Sequence, residues 1–83
     1  MSETMDLITV RAMCLNGEAR RIREASNLSQ PEVAAEVGEC SPVAVSRWER
    51  GERLPRGDAA LRYLKTLRRL QRATAGRTHP VGA

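Results

Sequence analysis

The sequence predicts an all-α fold, a small bundle of four or five helices, and three observations support this prediction. Apolar residues recur at helical spacing, as at Val45 and Trp48. Serine followed by proline begins two short segments, a combination that favours helix initiation. Gly38 and Gly51 follow these segments, where glycine commonly ends a helix. The 83 residues are close to the lower size at which one core folds without disulfides or metals, which indicates a single domain.

The N-terminal part of the chain is predicted to contain two helices. Residues 1–15 form a segment with one short helix, since apolar residues follow a helical period there, and no capping residue is evident. Asn16 is a candidate N-cap for a second helix from about 17 to 26. Asn27 suits the left-handed conformation that closes such a helix.

The segment "LSQPEVAAEVG" carries a complete set of helix start signals. Ser29 and Glu32 have the spacing of a capping box, and Pro31 lies in the first turn, where its missing N–H costs nothing. A helix over about 30–37 is therefore predicted, and Gly38 ends it.

A second short helix, over about 42–50, is predicted after a brief turn. Ser41 is its candidate N-cap, Val45 and Trp48 form its buried face, and Gly51 ends it. Two short helices joined by a glycine turn have the spacing of a helix-turn-helix, here residues 29–50 of a domain over 16–73.

The chain is predicted to close with one longer helix and a tail. Asp58 is the candidate cap of a helix over about 59–72, and residues 74–83 lack periodicity and are predicted to be a flexible tail. The apolar stripe of this helix consists of Ala60, Leu61, Leu64, Leu67 and Leu70. This stripe packs on the helix-turn-helix or forms a dimer contact, and the sequence leaves the two alternatives open.

The charge distribution indicates a polyanionic partner. Residues 1–46 hold four arginines and seven acids, a net charge of −3, whereas residues 47–83 hold ten basic residues and three acids, a net charge of +7. Such an asymmetry favours one electropositive face, as found in proteins that bind nucleic acids.

Several other classes of protein are disfavoured. Cys14 and Cys40 lack zinc-finger spacing and are interpreted as free thiols, and the single histidine, His79, lies in the tail. No nucleophile or carboxylate cluster has a base beside it, so we expect no enzyme, no catalytic residues, no metal, no cofactor and no small-molecule ligand. No apolar run is long enough to span a membrane and the start lacks a signal peptide, so a cytoplasmic protein is expected.

Residues 20–56, "RRIREASNLSQPEVAAEVGECSPVAVSRWERGERLPR", resemble the Cro/C1 (XRE-type) helix-turn-helix family of phage repressors and bacterial regulators. The matching elements are Leu28-Ser29-Gln30, Ala34, Gly38, Val45-Ser46-Arg47, and Glu49 with Gly51. The resemblance implies a lambda-repressor-like fold and binding to double-stranded DNA.

The sequence departs from the family pattern in the turn. Gly38 precedes Val45 by seven residues, whereas six are usual in the family. A slipped second helix would bury Arg47 unpaired at a cost of several kcal/mol, whereas a longer turn costs only a few tenths. The extra residue is therefore predicted to lie in "GECS", which keeps Val45 and Trp48 buried.

The resemblance also implies roles for individual residues. The second helix is expected to enter the major groove, where its exposed residues meet base edges. Arg23 and Glu49 are expected to form a structural ion pair, as in the family. The expected base contacts are Val43, Ala44, Ser46 and Arg47, and the expected backbone contacts are Gln30, Ser41, Arg50, Arg53 and Arg56.

The most favoured hypothesis is a Cro- or repressor-like transcriptional regulator that binds a pseudopalindromic operator as a homodimer. It would act in the bacterial cytoplasm or nucleoid, encoded by a bacterium or a phage. Two alternatives remain open: a protein-interaction module of the antitoxin or antirepressor type, and an excisionase-like architectural DNA binder.

Overall fold

A computed structural model describes residues 2–75, which form five α-helices and no strands. The helices are α1 (Glu3–Leu15), α2 (Glu18–Ala25), α3 (Gln30–Val37), α4 (Pro42–Glu49) and α5 (Gly57–Ala75). The predicted all-α bundle of four or five helices is therefore confirmed. Most of the predicted tail lies outside the described residues.

Serine and asparagine side chains accept hydrogen bonds from backbone N–H groups at the starts of the first three helices. Ser2 accepts a hydrogen bond from the N–H of Met5, so α1 does have a cap, contrary to prediction. The N-cap position of α2 is Gly17 and not Asn16 as predicted, and Asn16 instead ends α1. The Oδ1 of Asn16 still accepts from the N–H of Glu18 at 2.8 Å, where α2 starts. The capping box of α3 is present, with Ser29 and Glu32 each bonded to the backbone N–H of the other. These bonds satisfy N–H groups that a helix leaves unpaired at its start.

Helix α5 is longer than predicted at both ends. It begins at Gly57, so Asp58 lies inside the first turn and is not the cap. The carboxylate of Asp58 instead accepts from Arg62 at 2.7 Å, one turn along the helix. At the other end Thr74 is buried, and its hydroxyl donates to the carbonyl of Leu70 at 2.8 Å. Residues 74 and 75, predicted to be part of the tail, are therefore helical.

The core lies where α5 packs on α1, α2 and α3. Most of the α5 stripe is buried there, and Leu61 and Leu70 at its margins are half-buried. Tyr63 also enters the core and contacts Trp48 of α4, with ring centroids 4.7 Å apart. Burial raises the pKa of Tyr63, and its hydroxyl has no hydrogen-bond partner among residues 2–75. The apolar stripe of α5 is therefore used for packing within the subunit.

The turn between α3 and α4 contains two residues with positive φ. Gly38 has φ of 85° and Glu39 has φ of 49°. A chain that bends in this way uses up one more residue without changing the helix that follows. Val45 is fully buried and Trp48 is 6 % exposed, so α4 keeps the predicted register and the extra residue lies in the turn.

Arg62 binds the end of α3 to α5. Its Nε donates to the carbonyl of Val37 and its Nη2 to the carbonyl of Gly38, each at 3.2 Å. Carbonyls at the end of a helix lack partners within the helix, and here a guanidinium supplies them. The longer turn is thus fastened to the rest of the domain by one side chain.

Arg23 and Glu49 form a two-pronged ion pair between α2 and α4. Arg23 Nε lies 2.6 Å from Glu49 Oε2, and Nη2 lies 3.0 Å from Oε1. Gln30 of α3 donates to the same carboxylate at 3.1 Å. The Glu49 side chain is only 3 % exposed, and the hydrogen bond to it raises the pKa of Arg23. One carboxylate therefore joins three helices.

Replacing Arg62 by alanine should destabilise the domain, because two carbonyls at the end of α3 lose their donor. We expect a loss of about 1–2 kcal/mol in the free energy of unfolding, since Arg62 is partly exposed. Urea denaturation followed by circular dichroism measures this loss. The control is Arg69→Ala, which removes an exposed arginine from the same helix. Equal losses for the two variants would contradict the assigned role of Arg62.

Replacing Arg23 by alanine should leave the carboxylate of Glu49 buried without its counterion. Breaking such a pair costs about 3–5 kcal/mol, a large part of the stability of a small domain. Thermal and urea unfolding measure the effect. Arg20→Ala is the matched control, because Arg20 pairs with Glu24 at an exposed site on the same helix and should cost less than about 1 kcal/mol. A small loss for Arg23→Ala would show that the pair does not hold α4.

Candidate nucleic-acid interface

The outer face of α4 is open to solvent. Val45 and Trp48 point into the core, whereas Val43 is 57 % exposed and Arg47 is exposed. Ala44 and Ser46 are half-buried at the margins of this face. Of the four residues predicted to contact bases, Val43 and Arg47 therefore face away from the core, whereas Ala44 and Ser46 flank this face and Ala44 also packs against the core.

A shallow cleft of about 290 Å³ runs between α4 and the loop that follows it. The cleft brings the N-cap and several residues of α4 together with two arginines of the loop. Six residues predicted to contact bases or the DNA backbone line it: Ser41, Val43, Ala44, Arg47, Arg53 and Arg56. Residues separated by up to 15 positions in the chain thus form one surface.

This cleft carries a net positive charge, although Arg50 and, to a lesser extent, Arg47 lie close enough to Glu52 to lower the pKa of that carboxyl. Arg47, Arg53 and Arg56 are exposed, and none of these guanidinium groups forms an ion pair within residues 2–75. Three free guanidinium groups on one surface attract a polyanion, and each can donate two parallel hydrogen bonds to a phosphate or to a guanine edge.

Arg50 differs from these three arginines because it already has partners. It donates to Glu52 at 2.8 and 3.1 Å and to the hydroxyl of Ser46 at 2.6 Å. The hydrogen bond raises the pKa of Arg50 and lowers the pKa of Glu52. The pair is about half-exposed on each side, so it is weak enough to exchange partners. Ser46 and Arg50, predicted to contact different parts of DNA, are bonded to each other here.

Gln30 and Ser41 have structural partners of their own. The amide of Gln30 donates to buried Glu49, and the hydroxyl of Ser41 accepts from the N–H of Ala44 at 3.1 Å. A primary amide has a second N–H, and a hydroxyl that accepts can still donate. Gln30 lies behind the ion pair and does not line the cleft, whereas Ser41 does.

Three residues that position this surface were not found from the sequence. Arg11 of α1 donates to the carbonyl of Pro55 at 3.1 Å, which holds the loop that carries Arg53 and Arg56. Leu54 lines the cleft and packs on the core, and Arg62 holds the turn before α4. The acceptors that give Arg11 and Arg62 these roles are backbone carbonyls distant in the chain, and the pairing of Arg62 with Asp58 within α5 does not indicate them.

The described residues offer little else that could do chemistry. Both cysteines are free, and burial together with the charge of Glu49 raises the pKa of Cys14 to about 11, so it is an inert thiol at neutral pH. Burial also raises the pKa of Cys40, although Arg62 opposes this shift. Within residues 2–75 no cluster of histidine, cysteine and acidic side chains could hold a metal ion, and no helix could cross a membrane.

Comparison with known proteins assigns the family. No curated protein and no solved structure matched the chain significantly. A family model described as helix-turn-helix matches residues 20–71, which is more than half of the chain and includes most of α2, all of α3 and α4, and most of α5. The matched family is one of DNA-binding domains, not of enzymes. The chain therefore belongs to the Cro/C1-type helix-turn-helix family.

Proposed function

We propose that this protein is a sequence-specific transcriptional regulator of the Cro/repressor type that inserts α4 into the major groove of an operator. The observation that supports this proposal best is the exposed Arg47 on the outer face of α4, beside two further unpaired arginines. An α-helix of this width fits the major groove of B-DNA, and the flanking charges attract the phosphates on either side.

The proposed base contacts lie on the exposed face of α4. Arg47 donates two hydrogen bonds to O6 and N7 of a guanine, the commonest specific contact in the major groove. Val43 and Ala44 lie against thymine methyl groups, and Ser46 reaches a base or a neighbouring phosphate. Pro42 presents no polar group, so hydrogen-bond specificity depends mainly on Arg47.

The proposed backbone contacts surround this face. Ser41 donates from the start of α4, and Arg53 and Arg56 reach phosphates from the loop beyond it. Gln30 uses its second amide proton while it remains bonded to Glu49. Arg50 contacts a phosphate after exchanging Glu52 for it, which is inexpensive because both side chains are exposed.

One copy of the domain makes few base contacts, so the proposal includes a homodimer on a pseudopalindromic operator. Half-sites about one helical turn apart place two recognition helices on the same side of the duplex. The protein would act in the bacterial cytoplasm or nucleoid, encoded by a bacterium or by a phage.

Selection from random duplex DNA tests the proposed function directly. The expected result is an enriched motif with inverted half-sites and an affinity that falls steeply with salt. Three backbone-contacting arginines in each of two copies give a slope of roughly −5 in a plot of log affinity against log salt. Tandem sites with strong bending would instead indicate an architectural DNA binder. The absence of any enriched motif would contradict the proposal and favour a protein-interaction module.

Replacing Arg47 by alanine should weaken binding to the selected site by about 1–3 kcal/mol and hardly affect binding to random DNA. Fluorescence anisotropy with the two duplexes at one salt concentration measures the difference. Arg20→Ala removes the same charge from α2, outside the cleft, and should change both affinities slightly and equally. Equal losses on both duplexes for Arg47→Ala would make Arg47 a phosphate contact.

A further inference from the structure

Helix α1 has an apolar face that is largely exposed among the residues that the structure describes. Met5 is 57 % exposed, Ile8 is 54 % exposed and Leu15 is 64 % exposed, and Ala12 between them is also exposed. Steps of three, four and three residues place these four side chains on one side of a helix. The buried residues of α1, which are Val10, Met13 and Cys14, lie on the opposite side. We name these four exposed residues the α1 stripe.

Uncharged residues border most of the α1 stripe, and Arg21 lies at its C-terminal end, where it donates to the carbonyl of Asn16 at 3.4 Å. Thr4, Thr9 and Asn16 border it, and the hydroxyl of Thr9 is bonded to the carbonyl of Met5. Arg11 donates to the carbonyl of Pro55, and the carboxylate of Asp6 lies 3.9 Å from the guanidinium of Arg68 in α5. An identical surface can therefore approach along the apolar side chains, with Arg21 at the end of the contact.

We propose that two copies of this chain associate through the α1 stripe, with their α1 helices antiparallel across a two-fold axis. The three-four-three spacing is the same in both directions, so a two-fold axis places Met5 opposite Leu15 and Ile8 opposite Ala12. Each isoleucine then packs against an alanine, which allows the helices to approach closely. This inference rests on the homodimer of the proposed function and identifies its surface.

The area of the α1 stripe sets the strength expected of this contact. A half-exposed side chain of this size leaves on the order of 100 Å² uncovered. The stripe then amounts to about 300–400 Å² on each copy, which is typical of a functional patch and less than the roughly 800 Å² of a standard interface. A dimer with a dissociation constant on the order of 10 μM is expected, formed fully on paired half-sites.

A second copy fits the stripe better than other occupants do. Among large apolar side chains, residues 76–83 contain only Val81, which cannot cover four positions. The apolar stripe of α5 is already buried within the subunit. A charged partner would find no complementary group on the stripe, whereas a copy of the stripe matches it in length and polarity.

Sedimentation equilibrium without DNA tests the inference. The wild-type chain should approach twice its mass of 9.2 kDa above about 50 μM. Ile8→Glu and Ala12→Glu should remain monomeric with unchanged circular dichroism, because both positions are exposed. Ala35→Glu is the matched control, since Ala35 is an exposed helical alanine on α3, and it should dimerise like the wild type. Raising the salt to 1 M should change the dimer dissociation constant less than twofold, because the four side chains of the stripe are uncharged.

A wild-type chain that stays monomeric at 200 μM, or an Ala12→Glu variant that dimerises normally, would overturn the inference. DNA binding is measured separately on a single half-site and on paired half-sites. The stripe variants should bind the single half-site as the wild type does and lose about tenfold in affinity for the paired sites. Loss of self-association with intact half-site binding separates the surface from the DNA-binding function. A chain that dimerises but does not bind any DNA would refute the proposed function alone.

Discussion

The carboxylate of Glu49 is the group on which the position of α4 depends. It accepts from Arg23 of α2 and Gln30 of α3, and it belongs to α4 itself. A charge that is 97 % removed from solvent is tolerated only with good partners, so the three helices cannot rotate independently. Because Trp48 lies beside it in the chain, the same constraint directs Val43 and Arg47 outward. The orientation of the candidate interface is therefore set from behind, by residues that do not reach its surface.

The turn between α3 and α4 shows how an added residue is absorbed. Gly38 and Glu39 both adopt positive φ, and Arg62 donates to the carbonyls of Val37 and Gly38. Glutamate pays a conformational cost in this region that glycine does not. The hydrogen bonds from Arg62 offset this cost, because they stabilise one conformation of the turn over the others. The longer turn is thus a defined structure rather than a loosened one, and α4 packs with the apolar face that its sequence indicates.

Much of the fold could be predicted from patterns within a few residues of sequence. The remainder depends on contacts between residues that are distant in the chain. The capping box at Ser29 and Glu32 and the apolar pair Val45 and Trp48 are encoded within a few residues, so sequence spacing was sufficient to find them. The α5 boundaries were less predictable, because Asp58 is used in a side-chain bond and Thr74 is buried by tertiary contacts. At the candidate site, the exposure of Arg47 followed from helix register. The engagement of Arg50 by Glu52 depends on how the chain bends after Gly51, and the spacing did not contain that information.

The contact between Trp48 and Tyr63 has a practical consequence. The chain contains one tryptophan, one tyrosine and no phenylalanine, and the two rings contact each other where α4 meets α5. Ultraviolet emission from the protein therefore originates at the buried side of α4 and not from an average over many sites. An optical signal from the native chain reports whether that helix is seated on the long C-terminal helix, without any attached label.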